Sequence, residues 1–179
     1  MIHVLGVGNG KGSGRLEELA RSVSYILGVR CQVLKDILDP GFSWDAARAQ
    51  YHSTKILERM AGLPNGDCSR MIGVADVDLF VPIFTFVFGE AQLEGHCAVV
   101  SSYRLADERY GLPPNEEKLR ERLLKEAVHE LGHTFRLHHC DNWQCVMASS
   151  HSVERLDIKS AKFCDVCWDV VQAECAPWR

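Results

Sequence analysis

Short apolar runs alternate with helically spaced apolar residues along the first third of the chain. Runs rich in β-branched residues predict strands over 2–8 and 31–38, and apolar residues at every third or fourth position predict a helix over 15–27. A second helix is predicted from an N-cap at Ser43 through residue 63. The glycine-rich segment between the first strand and the first helix matches neither nucleotide-binding spacing, so it predicts a flexible turn.

The remaining chain has the same kinds of pattern until it becomes irregular near its end. Residues 71–80 predict a third strand, and 84–105 predict two more strands joined by a glycine-containing turn. Asn115, followed by acidic residues, marks a strong helix start. The regular pattern stops after residue 137, and a final helix is predicted within 161–174. This order of elements predicts an α/β sheet with at least one edge hairpin.

The overall properties of the chain exclude two classes of partner. Its net charge is −4 and it holds no block of Lys and Arg, which argues against nucleic-acid binding. No apolar run approaches the roughly 18 residues that suggest a membrane span. The first ten residues lack the basic and small-residue features of a secretory signal. We therefore expect a cytoplasmic, single-domain protein of 179 residues without a pro-segment.

The segment HELGHTFRLHHC at 129–140 concentrates groups that bind metal and move protons. On a helix, His129 and His133 lie one turn apart on one face, where both imidazoles can reach a single ion. Zn²⁺ suits such ligands and lowers the pKa of water to about 7, and Glu130 can accept a proton from that water. His139 lies six residues beyond His133 and supplies a third imidazole. Chance placement of two histidines on a charged helix face is the alternative, and the third histidine argues against it.

Four further cysteines have the spacing C-x4-C…C-x2-C, at Cys140, Cys145, Cys164 and Cys167. Paired thiolates at these spacings resemble a closed structural zinc site, which is the usual use of spaced cysteines in a reducing compartment. Two disulfides, or free thiols, are the alternative. As a zinc site, the four would clamp the chain after His139 to the final helix and so hold the third histidine in place.

The run HELGHTFRLHHCDNWQCVM, with the later CDVC, resembles the extended zinc motif of the archaemetzincins, a branch of the metzincin metallopeptidases. The resemblance covers 129–167 and adds Met147 as the Met-turn residue beneath the zinc ligands. It implies a metzincin-like α/β (α+β) fold. An N-terminal subdomain, 1–137, would hold a twisted mixed sheet, its helices and the active-site helix. A small irregular C-terminal subdomain, 138–179, would end in a helix.

The same resemblance implies a zinc-dependent metallopeptidase that hydrolyses peptide bonds with a zinc-activated water and Glu130 as general base. Two Zn²⁺ are expected per chain, a catalytic ion on the three histidines and a structural ion on the four cysteines. The substrate would be a peptide or protein, bound in extended form along an edge strand within 84–92. A hairpin at the edge of the sheet that has no role in substrate binding is the alternative, and the sequence favours neither. We expect a monomer that binds neither nucleic acid nor membrane.

Arg136 departs from the family pattern, since it stands where the family usually has glycine. Glycine can adopt the left-handed conformation that ends a helix, and a non-glycine residue there costs roughly 1 kcal/mol or more. Either Arg136 is strained or the turn is built differently, and a different turn leaves His138 as an alternative third ligand. A catalytically weak or inactive zinc protein that only binds peptides, or acts as an adaptor, is the second functional hypothesis. The intact Glu130 argues against it, because binding alone needs no base.

Overall fold

The computed structural model describes residues 1–8, 13–64 and 70–178, without the side chains of residues 13 and 177. The predicted glycine-rich turn therefore falls mostly outside the described residues. The regular elements, in chain order, are β1 Ile2–Val7, α1 Ser13–Leu27, β2 Cys31–Leu38, β3 Trp44–Asp45, β4 Gln50–His52, α2 Ser53–Ala61, β5 Arg70–Ala75, β6 Leu79–Phe80, β7 Gly89–Ala91, β8 Cys97–Ser101, α3 Glu116–Thr134, α4 Val153–Ile158 and α5 Asp165–Cys175.

A five-stranded mixed sheet with the order β2-β1-β5-β8-β7 forms the centre of the molecule. Its first four strands run parallel, and β7 pairs antiparallel with β8 at one edge, as the predicted hairpin required. Every residue of β5 and β8 is buried, because helices cover both faces of the sheet. Helices α1, α3, α4 and α5 pack into one apolar core, and α2 packs into a second core on the opposite face.

The prediction of a helix that starts after Ser43 is wrong for the first half of that segment. That stretch forms the hairpin of β3 and β4, and helix α2 begins only at Ser53. The Asp45 side chain accepts hydrogen bonds from the backbone N–H groups of Ala47 and Arg48, and Ala49 has a φ of 53°. A local side-chain turn of this kind competes with helix formation, and alanine content alone did not reveal it.

Two smaller corrections concern element boundaries. The predicted strand 71–80 is two strands, because β5 ends at Ala75 and β6 joins the small sheet of β3, β4 and β6. Helix α4 was missed, since a helix of six residues has too few apolar repeats to show a period. Its N-cap is Ser152, whose side chain accepts from the N–H of Arg155.

Helix α3 connects the core to the polar segment that follows it. Its predicted N-cap is confirmed, since the Asn115 side chain accepts from the N–H of Lys118. Halfway along the helix, the buried Arg122 binds Asp157 through two nitrogens, at 2.6 and 2.8 Å, and Asp107 at 2.7 Å. These ion pairs tie α3 to α4 and to the loop after β8. The C-terminal half of α3 therefore lies in a fixed position beside the edge strand β7.

Candidate functional site

Three histidines converge where α3 ends. The Nε2 atoms of His129 and His133 are 3.2 Å apart, and one ring nitrogen of each of the two and of His139 lies within 4.8 Å of the others. His129 is buried, His133 is half-buried and His139 is exposed. The structure brings together the three residues that the spacing predicted: the first two come from adjacent turns of α3, and the third comes from the chain that folds back.

Arg136 has a left-handed backbone conformation and reverses the chain between His133 and His139. Its φ is 70°, its N–H donates to the carbonyl of His133, and the N–H of Leu137 donates to the carbonyl of Gly132, each at 3.1 Å. This pair of bonds is the Schellman motif that usually has glycine at the position of Arg136. The turn is thus built in the usual way and carries the strain of a non-glycine residue.

His138 lies outside the converging group. Its side chain is exposed and lines the outer part of the cleft beside Leu93, whereas His139 reaches the other two histidines. Of the two alternatives for a third ligand, the geometry favours His139. Consecutive side chains after the turn point in different directions, so the count of six residues from His133 selects the second histidine.

The buried imidazoles are oriented by backbone carbonyls. Nδ1 of His129 lies 2.8 Å from the carbonyl oxygen of Val146, and Nδ1 of His133 lies 2.7 Å from that of Leu137. A carbonyl can only accept, so each Nδ1 carries the proton and each Nε2 presents its lone pair. Burial lowers the pKa of His129 and of His133, which favours the neutral, metal-binding form of both imidazoles. The donor set, tautomers and spacing fit a Zn²⁺ ion with an open coordination position.

Glu130 lies beside the three histidines and is 6% exposed. Burial raises the pKa of its carboxyl well above the usual value, and the like charge of Glu126 raises it further. The edge strand packs directly on this side chain at Gly89. A Cβ at Gly89 would come within 2.7 Å of Glu130 Cγ and 2.8 Å of the Val99 carbonyl oxygen, so only glycine fits there.

Met147 is fully buried beneath the active-site helix. Its Sδ occupies the space next to Gly132, on the side of α3 that faces the C-terminal part of the chain. The carbonyl of Met147 accepts from the N–H of Cys140, at 3.0 Å. The segment that follows the histidines is therefore bonded directly to the segment that supports them.

A buried ion pair behind the site was missed by the sequence analysis. Lys159, which follows α4, has its Nζ 3.5 Å from Oε1 of Glu126, and the two side chains are only 1% and 5% exposed. The same Nζ donates to the carbonyl of Ala148, at 3.0 Å. Burial raises the pKa of Glu126 and lowers that of Lys159. The sequence did place Glu126 one helical turn before Glu130, which could have drawn attention to Glu126. No nearby residue pattern indicated that Lys159 would be its partner.

The four cysteines form a second group of metal-ligand geometry. Their Sγ atoms all lie within 4.8 Å of one another, and all four thiols are free. Cys140 and Cys164 have an Sγ–Sγ distance of 3.8 Å, far longer than the roughly 2.05 Å of a disulfide. Backbone N–H groups of Cys164 and Met147 point at the Sγ of Cys145, as they do in thiolate metal sites. The arrangement fits a closed tetrahedral zinc site and speaks against the disulfide alternative.

A cleft runs across the histidines, beneath the edge strand. On one side of Glu130 lies a more enclosed cavity of about 260 Å³, between the segment 84–89 and the segment 149–151. On the other side it is a shallower groove beside β7 and His138. None of the helices in the part of the chain that the structure describes has the length and apolar character to cross a membrane.

Comparison with known proteins identifies relatives over most of the chain. Peptidase family M54 matches residues 42–173. The archaemetzincin of Methanocaldococcus jannaschii is 38% identical over 157 residues, 88% of this chain and 85% of that protein. The archaemetzincin of Pyrococcus horikoshii is 42% identical over 70% of this chain and 68% of its own length.

Two crystal structures share the fold over nearly their full length. The archaemetzincin from Methanopyrus kandleri superposes with a TM-score of 0.83 at 33% identity, covering 98% of this chain and 96% of that one. A zinc-dependent peptidase from Methanocorpusculum labreanum superposes with a TM-score of 0.85 at 28% identity, covering 96% of this chain and 100% of that one.

Proposed function

This chain belongs to Peptidase family M54, and from that premise we propose that it is a zinc-dependent metallopeptidase whose catalytic centre is His129, His133, His139 and Glu130. The observation that carries the proposal is the convergence of the three imidazoles beside a buried carboxylate. A zinc ion, when bound, supplies Lewis-acid polarisation of a carbonyl and a lowered pKa for water. His129 and His133 would hold it through Nε2, and His139 would hold it through the ring nitrogen that lies near those two atoms.

Glu130 would serve as general base and then as general acid. It would accept a proton from the water that attacks the scissile carbonyl and deliver that proton to the departing amine. Burial raises the pKa of this carboxyl well above its usual value, which makes it a stronger base than an exposed glutamate and so suits it to accept a proton. The contact with Gly89 supports the proposal, because it leaves Glu130 little freedom to turn away.

We propose that the peptide substrate lies along β7. This strand is the edge of the five-stranded sheet, and its other side faces the cleft rather than another strand of the described chain. An extended peptide could add there antiparallel, with backbone hydrogen bonds that do not depend on its sequence. Glu90 of β7 is held by the hydroxyl of Thr54, at 2.8 Å, and the edge is thereby braced against α2.

The structural role falls to Cys140, Cys145, Cys164 and Cys167, which we propose to bind a second zinc ion. That ion would join the chain after His139 to α5 and define residues 138–179 as a zinc-clamped subdomain on the domain 1–137. The bond from Cys140 N–H to Met147 supports this coupling, since the clamp and the Met-turn share one backbone contact.

A protein that binds peptides without cleaving them is the competing function. The test is hydrolysis of a mixed peptide library by the zinc-loaded wild type and by Glu130→Gln, with cleavage read by mass spectrometry. We expect the variant to keep its zinc and its fold and to lose about 10²–10⁴-fold in rate, the usual loss for a general base. Glu117→Gln, an exposed change at the start of the same helix, is the matched control. Absence of cleavage by the zinc-loaded wild type would favour the competing function, whereas equal turnover by wild type and Glu130→Gln would refute the general-base role of Glu130.

A further inference from the structure

A polar link joins helix α3 to the Met-turn segment, residues 146–148. Nδ1 of His129 lies 2.8 Å from the carbonyl oxygen of Val146, and this contact sets the direction of the ring. Histidines that bind metals almost always have such a partner on the second ring nitrogen, and its loss typically weakens metal binding about 10–100-fold. The position of the Met-turn segment relative to α3 therefore determines how well His129 is oriented for a metal ion.

A second link between the same two elements runs through Lys159. Its Nζ donates to the carbonyl of Ala148 at 3.0 Å and lies 3.5 Å from Oε1 of Glu126. Glu126 precedes His129 by three residues on α3, and Ala148 follows Val146 by two residues. The two links therefore start about one helical turn apart on α3 and end on neighbouring parts of one segment. The proposed hydrolysis makes no use of the second link.

The backbone on both sides of Lys159 is held by other contacts. Asp157, two residues earlier, accepts from the guanidinium of Arg122 on α3 at 2.6 and 2.8 Å. The N–H of Ser160, the next residue, donates to the carbonyl of Gln144 at 3.0 Å. The lysine side chain therefore starts from a defined position, and its side chain is only 1% exposed at the ion pair.

Ala148 lies where the buried Met-turn segment meets the exposed wall of the cleft. Val146 and Met147 are fully buried, whereas Ser149 is exposed. The bond from Lys159 thus holds the segment at its outer end, and the contact between Val146 and α3 holds its inner end. Loss of the outer bond would allow the segment to move away from α3 and would weaken the inner contact.

The alternative role for Lys159 is to compensate the charge of Glu126 and nothing more. A buried carboxylate without a partner is costly, and removal of both charges together usually restores the lost stability. The bond to Ala148 behaves differently, because it requires a donor at position 159 and no charge at position 126. The two roles can therefore be separated by substitution.

We infer that Lys159 is a positioning residue, which acts through the Ala148 carbonyl to hold the Met-turn segment against α3. The Val146 carbonyl thereby stays directed at Nδ1 of His129. The inference rests on the proposed zinc site at the histidines and adds a residue that sets the geometry of that site. Zinc affinity at the histidines should then depend on a donor at position 159.

Three variants distinguish positioning from charge compensation. Lys159→Met removes the donor and the counter-charge, Glu126→Leu/Lys159→Met removes the donor without leaving an unpaired charge, and Glu126→Gln keeps the donor. Lys162→Met is the matched control, because it removes an exposed lysine three residues further along the same segment. Its backbone carbonyl, which accepts from the N–H of Val146 at 2.9 Å, is unaffected by that substitution.

The first readout is zinc affinity, measured by native mass spectrometry in zinc buffers, with the histidine-bound ion identified by its loss in His133→Ala. We expect both variants that lack Lys159 to bind this ion about tenfold more weakly than wild type, the lower end of the usual effect. Glu126→Gln and Lys162→Met should bind it as wild type does. Urea unfolding should show that the double variant recovers stability, although it does not recover affinity.

The second readout is the exchange of the Nδ1 proton of His129 with solvent, followed by NMR on protein with isotope-labelled histidine. The contact with Val146 protects this proton, so it should exchange faster in the double variant than in Glu126→Gln. Wild-type affinity and exchange in the double variant would overturn the inference, as would equal losses in Glu126→Gln and Lys159→Met. If the wild type held no zinc at the histidines, proton exchange alone would decide.

Neither readout involves a peptide. A wild type that hydrolyses nothing would therefore count against the proposed peptidase function and leave the positioning role of Lys159 to be judged by affinity and exchange.

Discussion

The sulfur of Met147 fills the space that a side chain at Gly132 would need. A Cβ built on Gly132 would overlap Met147 Sδ, and it would also lie 3.2 Å from a ring carbon of Phe163. Gly132 stands directly before His133 on the active-site helix, so the close approach of Met147 sets the distance between that helix and the C-terminal part of the chain.

Gly132→Ala should therefore destabilise the protein although alanine is the better helix former. Overpacking in a filled core typically costs about 1–3 kcal/mol, which exceeds the gain of about 1 kcal/mol from replacing glycine within a helix. Gly14→Ala is the matched control on α1, because a Cβ at Gly14 meets nothing within 4 Å, and it should stabilise. Urea unfolding of the three proteins measures both effects. A more stable Gly132→Ala protein would contradict the packing argument.

Arg136→Gly should stabilise the protein by up to about 1 kcal/mol, because glycine adopts the left-handed conformation at this position without the strain that a Cβ causes. The exposed Arg136 side chain loses little, since its Nε is 3.8 Å from Glu94 and both side chains are more than half exposed. Arg136→Ala removes the same ion pair but keeps the strain, so it should leave the free energy of unfolding nearly unchanged. Urea unfolding of both variants measures this difference, and equal urea midpoints for Arg136→Gly and Arg136→Ala would show that the turn carries no such strain.

Lys159→Met should cost about 3–5 kcal/mol, since it leaves the buried Glu126 carboxyl without its partner. The double variant Glu126→Leu/Lys159→Met should recover most of that loss. Arg120→Met is the control, because its ion pair with Glu18 is about half exposed and should contribute less than about 1 kcal/mol. A double variant that is as unstable as Lys159→Met would show that the ion pair is not the source of the loss.

The Lys159→Met variant should also have a characteristic pH dependence. Burial raises the pKa of Glu126, and Lys159 is the group that opposes this rise, so its removal raises that pKa further. The folded variant then holds the proton of Glu126 to a higher pH than the unfolded chain does. Relative to wild type, its free energy of unfolding should fall as pH rises from the already raised pKa of Glu126 in the folded wild type to the higher pKa in the folded variant. Urea unfolding at several pH values measures this slope, and a flat difference would contradict it.

Graded chelation should remove two zinc ions in separate steps. The histidine site keeps an open coordination position and includes the exposed His139, whereas the cysteine site is closed and two of its thiols are buried. A chelator should therefore remove one ion first and abolish hydrolysis while the fold persists, and loss of the second ion should lower the Tm. Native mass spectrometry with parallel thermal melts follows both steps. One zinc at saturation, or loss of both ions together with unfolding, would refute the two-site assignment.

Much of the site could be read from spacing within one short segment. His129, His133 and His139 are separated by a helical turn and a reversal, and both are local structures that the sequence encodes. The predicted sheet with its edge hairpin is confirmed for the same reason, because apolar alternation and turn residues act over a few positions. The sequence analysis missed the hairpin of β3 and β4, because the residues around the side-chain turn at Asp45 have a composition typical of a helix.

The sequence by itself indicated the group of three histidines, the start of the active-site helix and the place where the chain must reverse, since these depend on neighbours within about ten positions. Only the tertiary structure decided what surrounds them. Lys159 meets Glu126 across 33 positions of the chain, and Gly89 of β7 meets Glu130 of α3. Such contacts arise from the packing of separate elements into one core, where the position of each side chain depends on all its neighbours.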